Sequence, residues 1–147
     1  RIYEDFAHHP TAIAGVISMM RGRFPASRLW AVYEPRSATS RRNVFQNELP
    51  GAFAGADRVL IKTPYKLDAI PLSERIDIAR VVDDINARGG SAGALRDVPS
   101  MVSAIFREID RAEDTVVIIM SNGGFDGIYD TIRTAADDFF MTDPACG

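Results

Sequence analysis

The sequence predicts an α/β fold in which a doubly wound, mostly parallel sheet of five or six strands carries helices on both faces. Short runs of β-branched, aromatic or wholly apolar residues alternate along the chain with longer segments whose apolar residues recur every three or four positions. This alternation is typical of parallel sheets, because each parallel connection needs a crossover that is usually helical. The run Thr115–Met120 is almost wholly apolar, as expected of a strand buried on both faces.

Five segments have the composition of strands. Three are clear, namely Arg28–Tyr33, Arg58–Lys62 and Thr115–Met120, and each is short and rich in β-branched or aromatic residues. Residues 91–95 form a weaker candidate, and residues 2–4 a short opening strand.

Four amphipathic segments predict helices, and residues 43–49 are predicted to form a fifth that ends before Pro50. The first helix has Pro10 near its first turn and Gly22 beyond its end. The apolar stripes are Ile13, Val16, Ile17 and Met20; Ile78, Val82 and Ile85; Val98, Val102, Ile105 and Ile109, after the N-cap candidate Asp97; and Ile128, Ile132, Ala135 and Phe139. The expected architecture is therefore Rossmann-like.

Length and composition predict one globular domain over residues 1–140, followed by a tail at residues 141–147. The formal net charge of −3 gives no electrostatic reason to expect a nucleic-acid partner. The longest apolar run is too short to span a membrane, and the single cysteine, Cys146, allows no internal disulfide. We therefore expect a cytoplasmic protein without a membrane partner. The abrupt strand-like start suggests a domain of a longer chain.

Three polar loops follow predicted strands at their carboxyl ends, where α/β folds bind ligands. The first, residues 5–11, contains Asp5, His8 and His9 directly before a helix, whose free N–H groups suit an anion. Asp5 could accept from a ribose hydroxyl, and a histidine could contact a base. The competing interpretation is that Asp5 caps a turn and both histidines are ordinary loop residues. A metal site is not expected, because adjacent histidines do not easily share one ion.

The second loop, residues 34–42, combines three arginines with three hydroxyl groups. Arginine matches carboxylates and phosphates through two parallel hydrogen bonds, so this loop is a candidate anion site. In the competing interpretation, Thr39 or Ser40 caps a following helix in a solvated loop. The candidate ligand-binding residues are Arg36, Ser37, Thr39, Ser40 and either Arg41 or Arg42.

The third loop, residues 121–127, follows the most apolar strand and is rich in glycine. Its glycines could adopt positive φ and let the backbone approach a ligand. It is not a P-loop, and no GKT or GKS sequence occurs in the chain. The candidate residues here are Asn122, Gly123, Gly124 and Phe125.

Together and in this order, the loops resemble the C-terminal domain of the Mur ligases, which build the peptide of bacterial cell-wall precursors. The resemblance rests on DFAHHPT at residues 5–11, EPRSATSRR at residues 34–42 and MSNGGFDGI at residues 120–128. The second and third motifs are most similar to the murein peptide ligase branch, which joins L-alanyl-γ-D-glutamyl-meso-diaminopimelate to UDP-N-acetylmuramate in wall recycling. The L-alanine-adding branch tends to have a Pro-His-Arg segment where Pro35, Arg36 and Ser37 stand here.

The resemblance implies an enzyme that uses ATP and Mg²⁺, bound mainly by preceding domains of the same chain. It places Asp5, with His8 and His9, beside the nucleotide. The residues of the second and third loops would meet the incoming peptide, and no catalytic residue or metal ligand is implied within this chain. UDP-N-acetylmuramate and the wall peptide are the implied substrates.

Three alternatives remain open at this point. The chain could belong to another ligase of this type, such as the L-alanine-adding or folate-polyglutamate enzymes. It could be a stand-alone nucleotide- or anion-binding α/β module, which a P-loop upstream of Arg1 would argue against. It could also be a Rossmann-like interaction domain whose loops bind no small ligand.

Overall fold

The computed structural model describes residues 1–142 and contains a five-stranded sheet in which all neighbouring strands are parallel. The strands are β1 (Ile2–Asp5), β2 (Arg28–Tyr33), β3 (Arg58–Lys62), β4 (Ala92–Leu95) and β5 (Thr115–Met120). Their order across the sheet is β1-β5-β2-β3-β4. The prediction of a Rossmann-like α/β fold is confirmed, with five strands.

Within residues 1–142, five α-helices cover both faces of the sheet: α1 (Pro10–Arg23), α2 (Leu49–Ala52), α3 (Ile78–Ala87), α4 (Val98–Glu108) and α5 (Ile128–Met141). The first three share a hydrophobic core with one face, and α4 and α5 share a second core with the other. Strand β2 serves both, because Ala31 and Tyr33 lie in the first core and Trp30 and Val32 in the second. No helix within residues 1–142 has the length and apolar character needed to cross a bilayer.

Several predicted element limits are corrected. Residues 43–49 do not form a helix; a 3₁₀ turn spans Asn43–Phe45, and Pro50 lies in the first turn of α2, where its missing N–H has no helical partner to lose. Gly22 lies inside the last turn of α1 rather than beyond it. Helix α5 extends to Met141, and residues 143–147, including Cys146, lie outside the described residues, so the tail at residues 141–147 stays a prediction.

The chain leaves the adjacent strands β2 and β5 towards opposite faces of the sheet. Strand β2 leads to α2 in the first core, and β5 leads to α5 in the second. Tyr33 pairs with Met120 at their carboxyl ends, and the N–H of Glu34 donates to the carbonyl of Met120 at 3.1 Å. Such a switch point opens a crevice at the carboxyl edge of a parallel sheet.

Candidate ligand site at the carboxyl edge of the sheet

Four charged side chains meet at this switch point, and we call Glu34, Arg36, Lys62 and Asp126 the charge cluster. Lys62 Nζ lies 2.7 Å from Asp126 Oδ2 and 3.2 Å from Glu34 Oε1. Arg36 Nη1 lies 3.4 Å from both Glu34 Oε1 and Asp126 Oδ1. Two cations and two carboxylates from the ends of three neighbouring strands therefore balance in charge.

One half of the charge cluster is buried and the other faces solvent. The side chains of Glu34 and Lys62 are 1% and 5% exposed, whereas those of Arg36 and Asp126 are 36% and 49% exposed. Burial lowers the pKa of Lys62, but its hydrogen bonds to Asp126 and Glu34 outweigh that effect, so this pKa lies above its ordinary value. The same lysine, through its hydrogen bond, holds the pKa of Asp126 below its ordinary value.

Hydrogen bonds complete the surroundings of the buried carboxylate. Ser121 Oγ donates to Glu34 Oε2 at 2.8 Å, and the N–H of Gly123 donates to Ser121 Oγ at 3.2 Å. Both oxygens of Glu34 thus have partners, as a buried charge requires. The arrangement ties the loop after β5 to the residue that follows β2.

The sequence patterns predict no site role for Glu34, Lys62, Ser121 or Asp126. A usable signal was present, because acids and lysines are almost never fully buried unless they are paired. Lys62 is the last residue of an otherwise apolar strand, and Glu34 follows a strand directly. An acid and a lysine at the ends of neighbouring buried strands indicate an ion pair at that edge.

The third loop confirms the prediction of positive φ for one of its glycines, Gly127, and has positive φ at two non-glycine residues as well. Positive φ values occur at Phe125 (43°), Asp126 (46°) and Gly127 (78°), and not at Gly123 or Gly124. Gly123 matters for close approach, since a Cβ there would lie 2.6 Å from Cδ and Nε of Arg36.

The other two predicted residues of this loop are partly or wholly enclosed. Phe125 is fully buried in the second core, so its ring presents no surface to a ligand. Asn122 is half-buried, and its Oδ1 has no hydrogen-bond partner among residues 1–142. Of the four, Asn122 is therefore the side chain with an unpaired acceptor, and that atom is buried.

The hydroxyl groups of the second loop mainly organise its own turn. Ser37 Oγ donates to Ser40 Oγ at 2.8 Å and accepts from the N–H of Ser40 at 3.0 Å, and Ser40 is buried. Thr39 is exposed. The alternative that Thr39 or Ser40 caps a helix is wrong, because the next element is the short turn Asn43–Phe45, which has no side-chain cap.

Arg41 and Arg42 attach the second loop to the segment after β3. Arg41 donates to the carbonyl of Tyr65 at 3.2 Å, and Arg42 pairs with the carboxylate of Glu74. Within residues 1–142, the Arg41 guanidinium donates to the backbone carbonyls of Ser37 and Tyr65 and pairs with no carboxylate, so it is the more available of the two. The segment at residues 62–72, whose role the sequence left unassigned, thus forms a wall beside the second loop.

The residues predicted to contact nucleotide make local hydrogen bonds. Asp5 Oδ1 accepts from the N–H of Ala7 at 2.8 Å, which is the turn contact weighed as the alternative. His8 Nδ1 lies 3.0 Å from the carbonyl of Phe6. His9 is the N-cap of α1, accepting from the N–H of Thr11 at 3.3 Å. The first loop follows β1, which β5 separates from β2, so it lies one strand away from Glu34 and Arg36.

No group of three or more His, Cys, Asp or Glu side chains within residues 1–142 could hold a metal ion. A mainly apolar cavity of about 320 Å³ lies elsewhere, where Ile105, Phe106, Ile109 and Phe139 line it near the start of β1. That cavity is at the amino ends of the strands, away from the polar loops. The carboxyl edge is the better candidate site on position and on chemistry.

The fold is an α/β domain with a candidate ligand site at its carboxyl edge, where a charge cluster supports two polar loops at a switch point. The family model described as "Mur ligase, glutamate ligase domain" matches residues 1–123. The chain belongs to the Mur ligase family and corresponds to the C-terminal domain of these ligases.

Two relatives show how the similarity is distributed. The UDP-N-acetylmuramate–L-alanyl-γ-D-glutamyl-meso-2,6-diaminoheptandioate ligase of Escherichia coli is 31% identical over 129 residues, which are 87% of this chain and 26% of the relative. The UDP-N-acetylmuramate–L-alanine ligase of Methylocella silvestris is 30% identical over 118 residues, or 80% of this chain and 25% of the relative. The chain therefore spans about a quarter of the length of these relatives.

Solved structures agree on the fold. A murein peptide ligase from Psychrobacter arcticus superposes with a TM-score of 0.74 at 31% identity, covering 91% of this chain and 27% of that one. A UDP-N-acetylmuramate–alanine ligase from Thermotoga maritima gives a TM-score of 0.64 at 17% identity, over 97% of this chain and 27% of that one, and supports the fold alone.

Proposed function

We propose that this chain is the peptide-contacting C-terminal domain of an ATP-dependent ligase that joins L-alanyl-γ-D-glutamyl-meso-diaminopimelate to UDP-N-acetylmuramate in peptidoglycan recycling. The relatives from Escherichia coli and Psychrobacter arcticus support this assignment by name and by identity. The observation that carries it is Arg36, which lies at the carboxyl edge with about a third of its side chain exposed. Its two ion pairs are long, at 3.4 Å each.

Such an arginine suits a peptide that brings several carboxylates to the cleft. Its planar guanidinium can give two parallel hydrogen bonds to one carboxylate. Thr39 and Arg41 lie on the same loop, and Asn122 and Gly123 lie opposite. Ser37 and Ser40 act by shaping the turn, and Phe125 by packing beneath the third loop.

Asp5, His8 and His9 form the nucleotide-facing part of the proposal. Asp5 holds the turn before α1 through the N–H of Ala7, and His9 caps the first turn of α1 through the N–H of Thr11. The positive end of that helix favours a negatively charged ligand. ATP and Mg²⁺ would be held mainly by preceding domains of a longer cytoplasmic chain, because no phosphate-binding glycine loop occurs in these 147 residues. The domain would then supply positioning and charge rather than a reacting group.

The function is tested by offering the full-length ligase two acceptors, the tripeptide and free L-alanine, with ATP and UDP-N-acetylmuramate. We expect amide formation with the tripeptide, measured as ADP release and by mass of the product, and little or none with L-alanine. This 147-residue chain alone should show neither ATPase nor ligase activity, since it lacks groups that position the γ-phosphate. A preference for L-alanine would favour the alternative function that the Methylocella silvestris relative suggests.

Gly123 provides a test of the geometry at Arg36. The Gly123→Ala change places a methyl group within 2.6 Å of the Arg36 side chain, which must move away. We expect a folded enzyme whose KM for the peptide rises about tenfold, as for one lost charge-assisted hydrogen bond, while its KM for ATP changes little. The matched control is Gly15→Ala in α1, because nothing lies within 4 Å of a Cβ at that position. Equal effects of the two substitutions would contradict the proposed role of Arg36.

A further inference from the structure

We infer that Lys62 is a positioning residue for Arg36: by pairing with Glu34 and Asp126, it leaves the Arg36 guanidinium available to a carboxylate of the incoming peptide. This inference rests on the proposed function, in which Arg36 meets that peptide. It assigns a role to a buried lysine that does not itself reach the substrate.

Distances in the charge cluster support a pairing role for Lys62 and an available guanidinium for Arg36. Asp126 lies 2.7 Å from Lys62 but 3.4 Å from Arg36. Glu34 Oε1 also lies closer to Lys62, at 3.2 Å, than to Arg36, at 3.4 Å. Its other oxygen accepts from Ser121. Each carboxylate therefore has a nearer partner than Arg36, which is left at the limit of hydrogen bonding with both.

The charges show what Lys62 prevents. With Lys62 present, the cluster contains two cations and two carboxylates. Without it, a single arginine would face two carboxylates, and the cluster would carry a net negative charge. Arg36 would then be drawn onto Glu34 and Asp126, and the edge would repel the carboxylates of a peptide. Burial strengthens the effect, because charges interact more strongly away from water.

The backbone fixes the positions of Lys62 and Asp126. Lys62 is the last residue of β3 and pairs with Leu95 of β4, so its side chain starts from a strand inside the sheet. Asp126 has left-handed backbone angles (φ 46°, ψ 35°) directly after the fully buried Phe125. Aspartate and asparagine tolerate these angles better than most residues, so Asp126→Asn preserves the turn while removing its charge.

The test uses three variants of the full-length ligase: Lys62→Met, Asp126→Asn and the double variant. We expect Lys62→Met to raise the KM for the tripeptide about tenfold, the size of one lost charge-assisted hydrogen bond. The KM for ATP should change little. Asp126→Asn should lower the peptide KM, because it leaves an excess of positive charge. The double variant again balances one cation with one carboxylate, so it should recover most of the lost peptide affinity.

The double variant separates charge from packing. Asp126→Asn restores none of the methylene contacts of Lys62, so a double variant as defective as Lys62→Met would overturn the inference. A wild-type peptide KM in Lys62→Met, or a raised one in Asp126→Asn, would overturn it as well. If thermal unfolding shows that Lys62→Met does not fold, Lys62→Gln takes its place with the same expected result.

Failure of the inference can be told from failure of the proposed function. If Arg36→Ala impairs use of the peptide and Lys62→Met does not, Arg36 still meets the peptide and only the role of Lys62 is lost. If Arg36→Ala leaves the peptide KM unchanged, Arg36 does not meet the peptide and the proposed function of this edge is wrong, whatever Lys62→Met does.

Discussion

Replacing Arg36 with alanine in the full-length ligase should reduce kcat/KM for the tripeptide by about tenfold to hundredfold, as expected from losing roughly 1.5–3 kcal/mol of charge-assisted hydrogen bonding. The KM for ATP should stay near the wild-type value, because Arg36 lies in the second loop and not beside α1. Arg36→Lys should be intermediate, since lysine keeps the charge but cannot give two parallel hydrogen bonds. Steady-state kinetics in which peptide and ATP are varied separately measure both effects.

The matched control for Arg36 is Arg133→Ala. Arg133 pairs with Asp130 on the exposed surface of α5, so its loss removes an equal charge without touching the carboxyl edge. We expect wild-type kinetics from that variant. A folded Arg36→Ala enzyme that uses the peptide normally would show that Arg36 is only a structural partner of Glu34 and Asp126.

Replacing Glu34 with alanine should lower the free energy of unfolding of this domain by about 3–5 kcal/mol, the cost of removing one partner from a buried ion pair. Lys62 would lose its contact with Glu34 at 3.2 Å while remaining buried, and Ser121 would lose its acceptor. A loss of this size is a large part of the stability of an ordinary domain. Urea unfolding of the 147-residue chain, followed by circular dichroism, measures it.

Two comparisons sharpen that measurement. Glu34→Gln fills the same volume and keeps one oxygen that can accept from either Ser121 or Lys62, so it should be less destabilising than Glu34→Ala. Arg133→Ala should unfold close to the wild-type midpoint, because its ion pair is exposed. If Glu34→Ala unfolded at the same urea concentration as Arg133→Ala, the buried pair would contribute nothing to stability.

The sequence was sufficient for most of the fold because its signals are local. The limits of Arg28–Tyr33, Arg58–Lys62 and Thr115–Met120 agree with β2, β3 and β5. Capping of α4 by Asp97 also agrees, with the N–H of Ser100 donating to its carboxylate at 2.8 Å. The prediction of a helix over residues 43–49 is wrong because proline can either end a helix or lie in its first turn, and Pro50 lies in the first turn of α2.

The site was less predictable, because its composition depends on which strands become neighbours. The three polar loops and their place at the carboxyl edge follow from the alternating pattern. The charge cluster does not, since Glu34, Lys62 and Asp126 are far apart in sequence and meet only through the order β5-β2-β3. The sequence does not indicate the positive φ of Phe125 and Asp126 either, because Gly123 and Gly124 directly before them adopt positive φ more readily.

The second and third loops flank the charge cluster as two walls, and each wall leads into a different hydrophobic core. The loop after β2 leads into the core beneath α1, α2 and α3, whereas the loop after β5 leads into the core beneath α4 and α5. A change of side-chain volume in one core can therefore shift one wall by a fraction of an ångström while the other keeps its place. If the proposed function holds, substitutions in one core can change substrate preference without altering any residue proposed to contact the peptide.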